Sequence, residues 1–178
     1  VLGDFVGAAT LLSASLKFDG TLIIQAQSKG PIELLVVECK SDLSMRATVK
    51  LSVDPSEVSP HASLGELLDA TNSGRLVITL DPSEREPGQP PYQGIVALQE
   101  QRGNVMKPVA CAAEAIGLYM QNSEQLDTRI WLTSNETHIG GLLLQRMPDS
   151  GGHAHLDPQI AAEGWSRIQT LGETITDE

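Results

Sequence analysis

The 178-residue chain carries 12 basic and 23 acidic side chains, so its formal net charge is −11. This acidic balance argues against a nucleic-acid backbone or an anionic membrane surface as a partner, because both require a positive patch. The length suits one domain that buries its core without disulfides or metal, and no apolar run in the sequence resembles a membrane span or a signal segment.

The first predicted element is a helix over Ala8–Leu16. Its only polar residues are Thr10, Ser13 and Ser15. A helix with so little polar surface is buried nearly all round. We therefore expect it to lie between layers of sheet.

Three strands are predicted next, at Thr21–Ser28, Ile32–Cys39 and Ser44–Val53. The third strand alternates from residue to residue. One of its faces carries apolar residues, namely Met45, Ala47, Val49, Leu51 and Val53. The other face carries Arg46, Thr48, Lys50 and Ser52. A period of two indicates one buried and one solvent-exposed face.

The middle of the chain alternates between strand and helix patterns. Further strands are predicted at Arg75–Asp81, Gln93–Leu98, Thr128–Thr133 and Ile139–Gln145. Helical segments are predicted at Leu64–Asp69 and, from its apolar spacing, at Lys107–Gln121. The stretch Asp81–Gly94 holds four prolines and is interpreted as a connection between strands. The pattern predicts an α+β domain with mostly antiparallel strands.

The last part of the chain is predicted to be a linker followed by an amphipathic helix. Ser150–Leu156 is the linker candidate, and Asp157 with Pro158 is a good helix start. The helix carries an apolar stripe of Ile160, Trp165, Ile168, Leu171 and Ile175. Because acids are disfavoured at a helix C-terminus, Asp177 and Glu178 suggest that the helix continues in a longer parent protein. The beginning of the chain, at Val1, also suggests a fragment.

Residues that could carry chemistry are few. Cys39 and Cys111 are interpreted as buried free thiols in a reducing compartment, with a disulfide between them as the alternative. His153 and His155 are interpreted as part of a solvated loop rather than as metal ligands, because no Cys or further His lies nearby in sequence. No catalytic residue and no metal ligand is assigned.

Several segments, taken together and in order, resemble a known family. They are LLSASLKFDG, a KGP turn, MRATV, GELLDATNSGRLVITLDPSE, YQGIVAL, YMQNSEQLDTRIWL, GGLLLQRMP and IQTLGETIT. The order and wording resemble the redox-regulated holdase chaperones, the bacterial 33-kDa heat-shock protein family. The resemblance covers nearly the whole chain.

This resemblance implies an ATP-independent cytoplasmic chaperone that binds unfolded client proteins. It implies a β/α/β layered domain with a buried helix, and a homodimer. Residues 1–149 would form the chaperone core domain, and residues 150–178 would form the linker and the start of the helical linker region. Family members bind zinc through C-x-C and C-x-x-C cysteines in a downstream domain. Neither motif occurs here, so no cofactor is expected in this chain and zinc is expected only in that missing C-terminal domain.

Two hypotheses for function follow. The first is a stress-related holdase, redox-regulated only in the full-length parent. In it, the stripe on the terminal helix is a client-binding or shielding surface, a marginally stable cover over an apolar sheet face. The alternative is a small-ligand-binding or enzymatic α+β domain with an unmarked acidic cleft.

Overall fold

The computed structural model describes residues 1–85, 88–146 and 157–174. Its helices are α1 (Leu2–Ser15), α2 (Leu64–Leu67), α3 (Ala112–Asn122) and α4 (Pro158–Gly172). Its strands are β1 (Gly20–Gln27), β2 (Ile32–Lys40), β3 (Met45–Leu51), β4 (Arg75–Pro82), β5 (Tyr92–Val96), β6 (Gln99–Arg102), β7 (Val105–Pro108), β8 (Thr128–Ser134) and β9 (Ile139–Gln145). None of the described helices is both long and apolar enough to cross a membrane.

The nine strands of the described residues form one large sheet and two hairpins. The large sheet has the order β3-β2-β1-β4-β5, and every neighbouring pair in it is antiparallel. The pairs β6–β7 and β8–β9 form separate two-stranded ladders. The prediction of an α+β fold with mostly antiparallel strands is confirmed.

Helix α1 lies between the large sheet and the β8–β9 hairpin, because it contacts β1 and β2 as well as β8 and β9. Phe5, Ala8 and Ala9 are fully buried, and Leu12 is 3% exposed. Small residues allow this close packing: a Cβ on Gly7 would lie 3.1 Å from Ile139 and 3.3 Å from Leu132. The predicted buried helix between sheet layers is confirmed.

The strand β3 forms as predicted, but the expected burial of its apolar face is wrong. Met45 and Val49 remain 42% and 38% exposed. Their register partners on β2, Cys39 and Leu35, are fully buried, so the apolar side of β3 does belong to the core face. It is not covered because β3 is the edge strand of the sheet, an arrangement that alternation within one strand cannot reveal.

The region before α3 also differs from expectation. The helix predicted from Lys107 begins only at Ala112, because Lys107 and Pro108 belong to β7. Both cysteines are free: Cys39 is buried as predicted, whereas Cys111 is exposed, contrary to prediction. The predicted linker Ser150–Leu156, with its two histidines, lies outside the described residues.

Candidate functional site

The β8–β9 hairpin has one face on the core and one face turned outward. Ile130 pairs with Leu143 across the hairpin, and both pack into the core. On the outward face Trp131 pairs with Leu142, and Arg129 pairs with Leu144. Because side chains alternate along a strand, this arrangement places an apolar strip on the outer side of the domain.

Helix α4 attaches to this outward face through small and polar groups. A Cβ on Gly172 would lie 2.4 Å from the Trp131 ring, so the helix backbone rests directly on the indole. The Gln169 side-chain oxygen accepts hydrogen bonds from the Trp165 indole N–H and the Arg129 Nε–H, each at 2.8 Å, in the amide orientation that satisfies both donors. At the other end of α4, the Asp157 carboxylate accepts the Gln159 N–H at 2.8 Å.

The apolar stripe predicted on α4 is turned away from the hairpin. Ile160, Ile168 and Leu171 are 60%, 45% and 59% exposed, and Trp165 is half-buried. The fifth predicted residue, Ile175, lies outside the described residues. Contrary to expectation, the side chains of Ile160, Ile168 and Leu171 therefore do not pack on a sheet face.

The helical repeat explains this difference. At 3.6 residues per turn, the less exposed positions of α4 fall on one side, and they are Ala161, Trp165, Gln169 and Gly172. The exposed stripe is centred roughly 90° further round the helix. Sequence reasoning missed Gln169 and Gly172 because it assigned the contact to the most apolar side. The helical spacing of Trp165 and Gly172 was the available signal.

A groove of about 900 Å³ runs beside the hairpin. Strand β8 lines it from Thr128 to Thr133, and α3 lines it with Ala113, Gly117 and Leu118. A Cβ on Gly117 would lie 3.9 Å from Thr128 O, so α3 and β8 are in ordinary van der Waals contact at this end of the groove. The volume falls in the range of about 300–1,000 Å³ that is common for ligand sites.

Two of the three acidic side chains that line this groove, Glu100 and Glu114, are paired with a basic neighbour. Arg102 pairs with Glu100 at 2.7 Å and also with Glu114. The residue Cys111 is exposed, but partial desolvation of its sulfur raises the pKa of the thiol, which disfavours the reactive thiolate. Within residues 1–85, 88–146 and 157–174, no group of three or more His, Cys, Asp or Glu side chains could hold a metal ion.

A cluster of aromatic and acidic groups fixes the end of α3. Glu124 Oε1 accepts hydrogen bonds from the Tyr119 hydroxyl at 2.7 Å and from the Tyr92 hydroxyl at 3.3 Å. The Tyr119 ring packs on Gly94 of β5, where a Cβ would lie 2.4 Å from the ring. Burial, with a contribution from Glu124, raises the pKa of Tyr119. This cluster ties α3, one wall of the groove, to the large sheet.

Comparison with known proteins supports a family assignment. The family model described as Hsp33 protein matches residues 1–178. The 33 kDa chaperonin of Methylobacillus flagellatus is 43% identical over 178 residues, which cover 99% of this chain and 52% of the relative. The 33 kDa chaperonin of Ectopseudomonas mendocina is 39% identical, with 100% and 53% coverage. The chain thus spans about half the length of these relatives.

A solved structure agrees in fold. The crystal structure of the 33 kDa chaperonin (heat shock protein 33 homolog) from Thermotoga maritima matches with a TM-score of 0.64 at 18% identity. The match covers 98% of this chain and 54% of that chain. The identity is low, so this likeness speaks for the fold alone. The match of the family model over the whole chain and the identity to curated relatives together show that this chain belongs to the Hsp33 protein family.

Proposed function

We propose that this chain is the client-binding core of an ATP-independent holdase chaperone. The observation that carries this proposal is the outward-facing apolar stripe of α4, where Ile160, Ile168 and Leu171 are 60%, 45% and 59% exposed on one side of a single helix. Clustered exposed apolar area is typical of surfaces that bind other proteins. The name chaperonin, carried by the relatives of the chain, points in the same direction.

The stripe of Ile160, Trp165, Ile168, Leu171 and Ile175 is proposed to contact clients directly. A shielding role would require the stripe to face the sheet, whereas Ile160, Ile168 and Leu171 are exposed and only Trp165 lies on the hairpin side. An apolar side chain gains roughly 1.5–3 kcal/mol when it is fully buried. Several such side chains on one helix face can therefore hold an unfolded segment without any sequence preference.

The regulation of this activity is proposed to belong to a longer parent protein. The expected zinc site needs several cysteine ligands close together, and a redox switch needs cysteines that can pair. The two cysteines of this sequence, Cys39 and Cys111, do not fit such a zinc site. Cys39 is buried in β2, and Cys111 lies at the start of α3. We place the zinc site in a separate domain of the parent, the site of action in the cytoplasm, and the assembly as a homodimer.

The proposal is tested by aggregation of a heat-unfolded client in the absence of nucleotide. The intact chain is expected to suppress light scattering by the client at equimolar ratio. The double variant Ile168→Ser/Leu171→Ser should lose most of this effect. The control variant Ile95→Ser also removes an apolar side chain, 78% exposed, but on β5. If the control loses as much as the double variant, or if the intact chain suppresses nothing, the proposal fails.

A further inference from the structure

The edge strand β3 turns half of its main-chain groups away from the sheet. Just before β3, the Lys40 N–H donates a hydrogen bond to the Ser44 carbonyl oxygen at 2.9 Å, so Ser44 faces β2. In an antiparallel ladder, alternate residues turn their main-chain groups toward the partner strand. The register of the pair therefore directs the N–H and C=O groups of Met45, Ala47 and Val49 outward.

The outward main-chain groups of β3 border solvent. Every residue from Met45 to Lys50 is exposed, and β3 is the last strand in the order of the large sheet. In the part of the chain that the structure describes, the outward N–H and C=O groups of these residues have no main-chain hydrogen-bond partner. A row of free groups along an exposed edge is a template for one further strand.

An apolar groove of about 270 Å³ lies beside the core face of β3. Val49 and Leu51 of β3 line it together with Leu2 of α1 and Val58, and its other lining residues are also apolar. Successive side chains of a strand alternate between its two faces. On an added strand, the side chains opposite Met45 and Val49 would therefore continue the core face and cover these exposed residues and the groove.

Two cations stand on the other face of β3, four residues apart. Arg46 Nε lies 2.6 Å from a Glu38 carboxylate oxygen, and Lys50 Nζ lies 2.9 Å from a Glu33 carboxylate oxygen. The Arg46 and Lys50 side chains nevertheless remain 82% and 64% exposed, so further N–H donors of both groups reach solvent. Because opposite charges directly across a strand pair attract and like charges repel, an added strand should carry carboxylates at two positions four residues apart.

A second copy of the chain suits this edge less well than such a segment. Each copy brings its own Arg46 and Lys50, so two paired copies of β3 would gather four cations on one face. Each chain also has a net charge of −11, and like net charges oppose association. A short segment with two carboxylates interacts mainly with its direct neighbours, because charges beyond about 8 Å are largely screened at physiological ionic strength.

We propose that the outer edge of β3 binds an extended segment of an unfolded client as an added antiparallel strand. The segment places apolar residues on the groove side and carboxylates opposite Arg46 and Lys50. The proposal deepens the chaperone function proposed above and rests on it, since it takes the occupant to be a client. Main-chain hydrogen bonds provide the affinity, and the pattern of alternate side chains provides the selectivity.

The first test uses a capped peptide in which valine alternates with glutamate, threonine and glutamate. In the proposed pairing the valine amides face β3, and the glutamate and threonine amides face away from it. N-methylation of the valine amides should weaken binding about tenfold, since several hydrogen bonds are lost. N-methylation of the glutamate and threonine amides should leave the dissociation constant within about twofold. Equal weakening by both sets of methyl groups, or by neither, would overturn the proposal.

A second test reverses the charges. A peptide with lysine in place of glutamate should bind the intact chain about tenfold more weakly than the glutamate peptide. The variant Arg46→Glu/Lys50→Glu should prefer the lysine peptide instead. The control variant Lys17→Glu/Arg75→Glu makes the same change in net charge at two exposed residues outside β3 and should keep the original preference. An unchanged preference in the β3 variant contradicts the proposal; if that variant does not fold, the methylated peptides decide.

The occupant is identified by competition. An excess of the plain peptide should reduce protection of a heat-unfolded client, whereas the valine-methylated peptide should not. If the plain peptide binds as expected and protection is unchanged, the edge does not hold clients and the proposal fails, although the chaperone function stands. If the intact chain protects no client, the chaperone function fails, and the peptide measurements decide the edge on their own. If sedimentation shows an oligomer that the plain peptide dissociates, a second copy occupies the edge and the proposal fails.

Discussion

Replacing glycine by alanine should have opposite effects on the stability of α4 at two positions, Gly172 and Gly164. Gly172→Ala places a Cβ 2.4 Å from the Trp131 ring, so either the ring or the helix must move. Gly164→Ala places a Cβ where nothing lies within 4 Å. We expect the first change to loosen α4 from the hairpin and the second to stabilise the helix.

The magnitudes follow from the local contacts. Overpacking at a well-packed contact costs typically about 1–3 kcal/mol, which is more than the helix-propensity gain of alanine at the last residue of α4. At an exposed interior position such as Gly164, the gain is roughly 0.8–1 kcal/mol. The described attachments of α4 to the hairpin are the Gln169 hydrogen bond to Arg129 and the contact of Gly172 with Trp131. A loss of about 1–3 kcal/mol is then enough to detach much of the helix population.

Tryptophan fluorescence is the direct assay, because both tryptophans of the chain, Trp131 and Trp165, lie at this joint. Emission of Gly172→Ala should shift to longer wavelength at room temperature, while the circular dichroism of the strands stays unchanged. Emission of Gly164→Ala should keep its position and shift only at a higher temperature than in the parent chain. If both variants behave like the parent chain, α4 is not attached as the Gly172 contact indicates.

The same pair separates a client-binding helix from a cover. The stripe of α4 is already exposed while the helix is attached. Loosening by Gly172→Ala should therefore leave client protection within about twofold of the parent chain, a change of under about 0.5 kcal/mol. A cover would predict a clear gain in protection. Such a gain, with the fluorescence shift, would show that detachment uncovers the binding surface and that our assignment of the stripe is wrong.

Three further predictions concern the body of the domain. The isolated chain should bind no stoichiometric zinc, since Cys39 and Cys111 lie in different elements; one tightly held zinc in metal analysis would contradict this. Leu12→Asp should unfold the domain, as an unpaired charge at a 3% exposed position costs several kcal/mol; an unchanged melting temperature would count against the layered fold. Because the folded pKa of Tyr119 is raised above its ordinary value of 10.0, only the unfolded state loses this proton just above that pH, and stability should fall as pH rises. Tyr119→Phe should show a smaller fall in alkaline urea titrations, and equal slopes would exclude this contribution.

Much of the fold could be predicted from the sequence because it depends on composition within single elements. The small apolar run Ala8–Leu16 indicated burial nearly all round. Ala8 and Ala9 are fully buried and Leu12 is 3% exposed, whereas Ala14 and Ser15 at the end of the helix are exposed. The burial of β3 could not be predicted in this way. Its alternation correctly identified the core face, but its place at the sheet edge is set by the order of strands, to which residues far away in sequence contribute.

The hairpin β6–β7 and the attachment of α4 were missed for different reasons. The hairpin had a local signal, since Gly103 adopts a left-handed φ of 66° at its turn and glycine favours such turns. Its strands are polar or exposed, so hydrophobic alternation could not reveal them. On α4 the apolar stripe suggested the wrong contact face. The helix is held instead by a glycine on an indole ring and by an amide, a contact that needs little apolar area on the helix.

The groove and the helix that carries the stripe meet at the hairpin. Arg129 and Trp131 line the groove beside β8, and the same two side chains receive Gln169 and Gly172 of α4. A change that moves the Trp131 ring should therefore affect both the groove and the attachment of α4. The exposed side chains Ile160, Ile168 and Leu171 lie roughly 90° further round the helix, so a client bound to them would leave this attachment in place. An exposed apolar surface of this kind can contact unfolded chains while the domain beneath it stays folded.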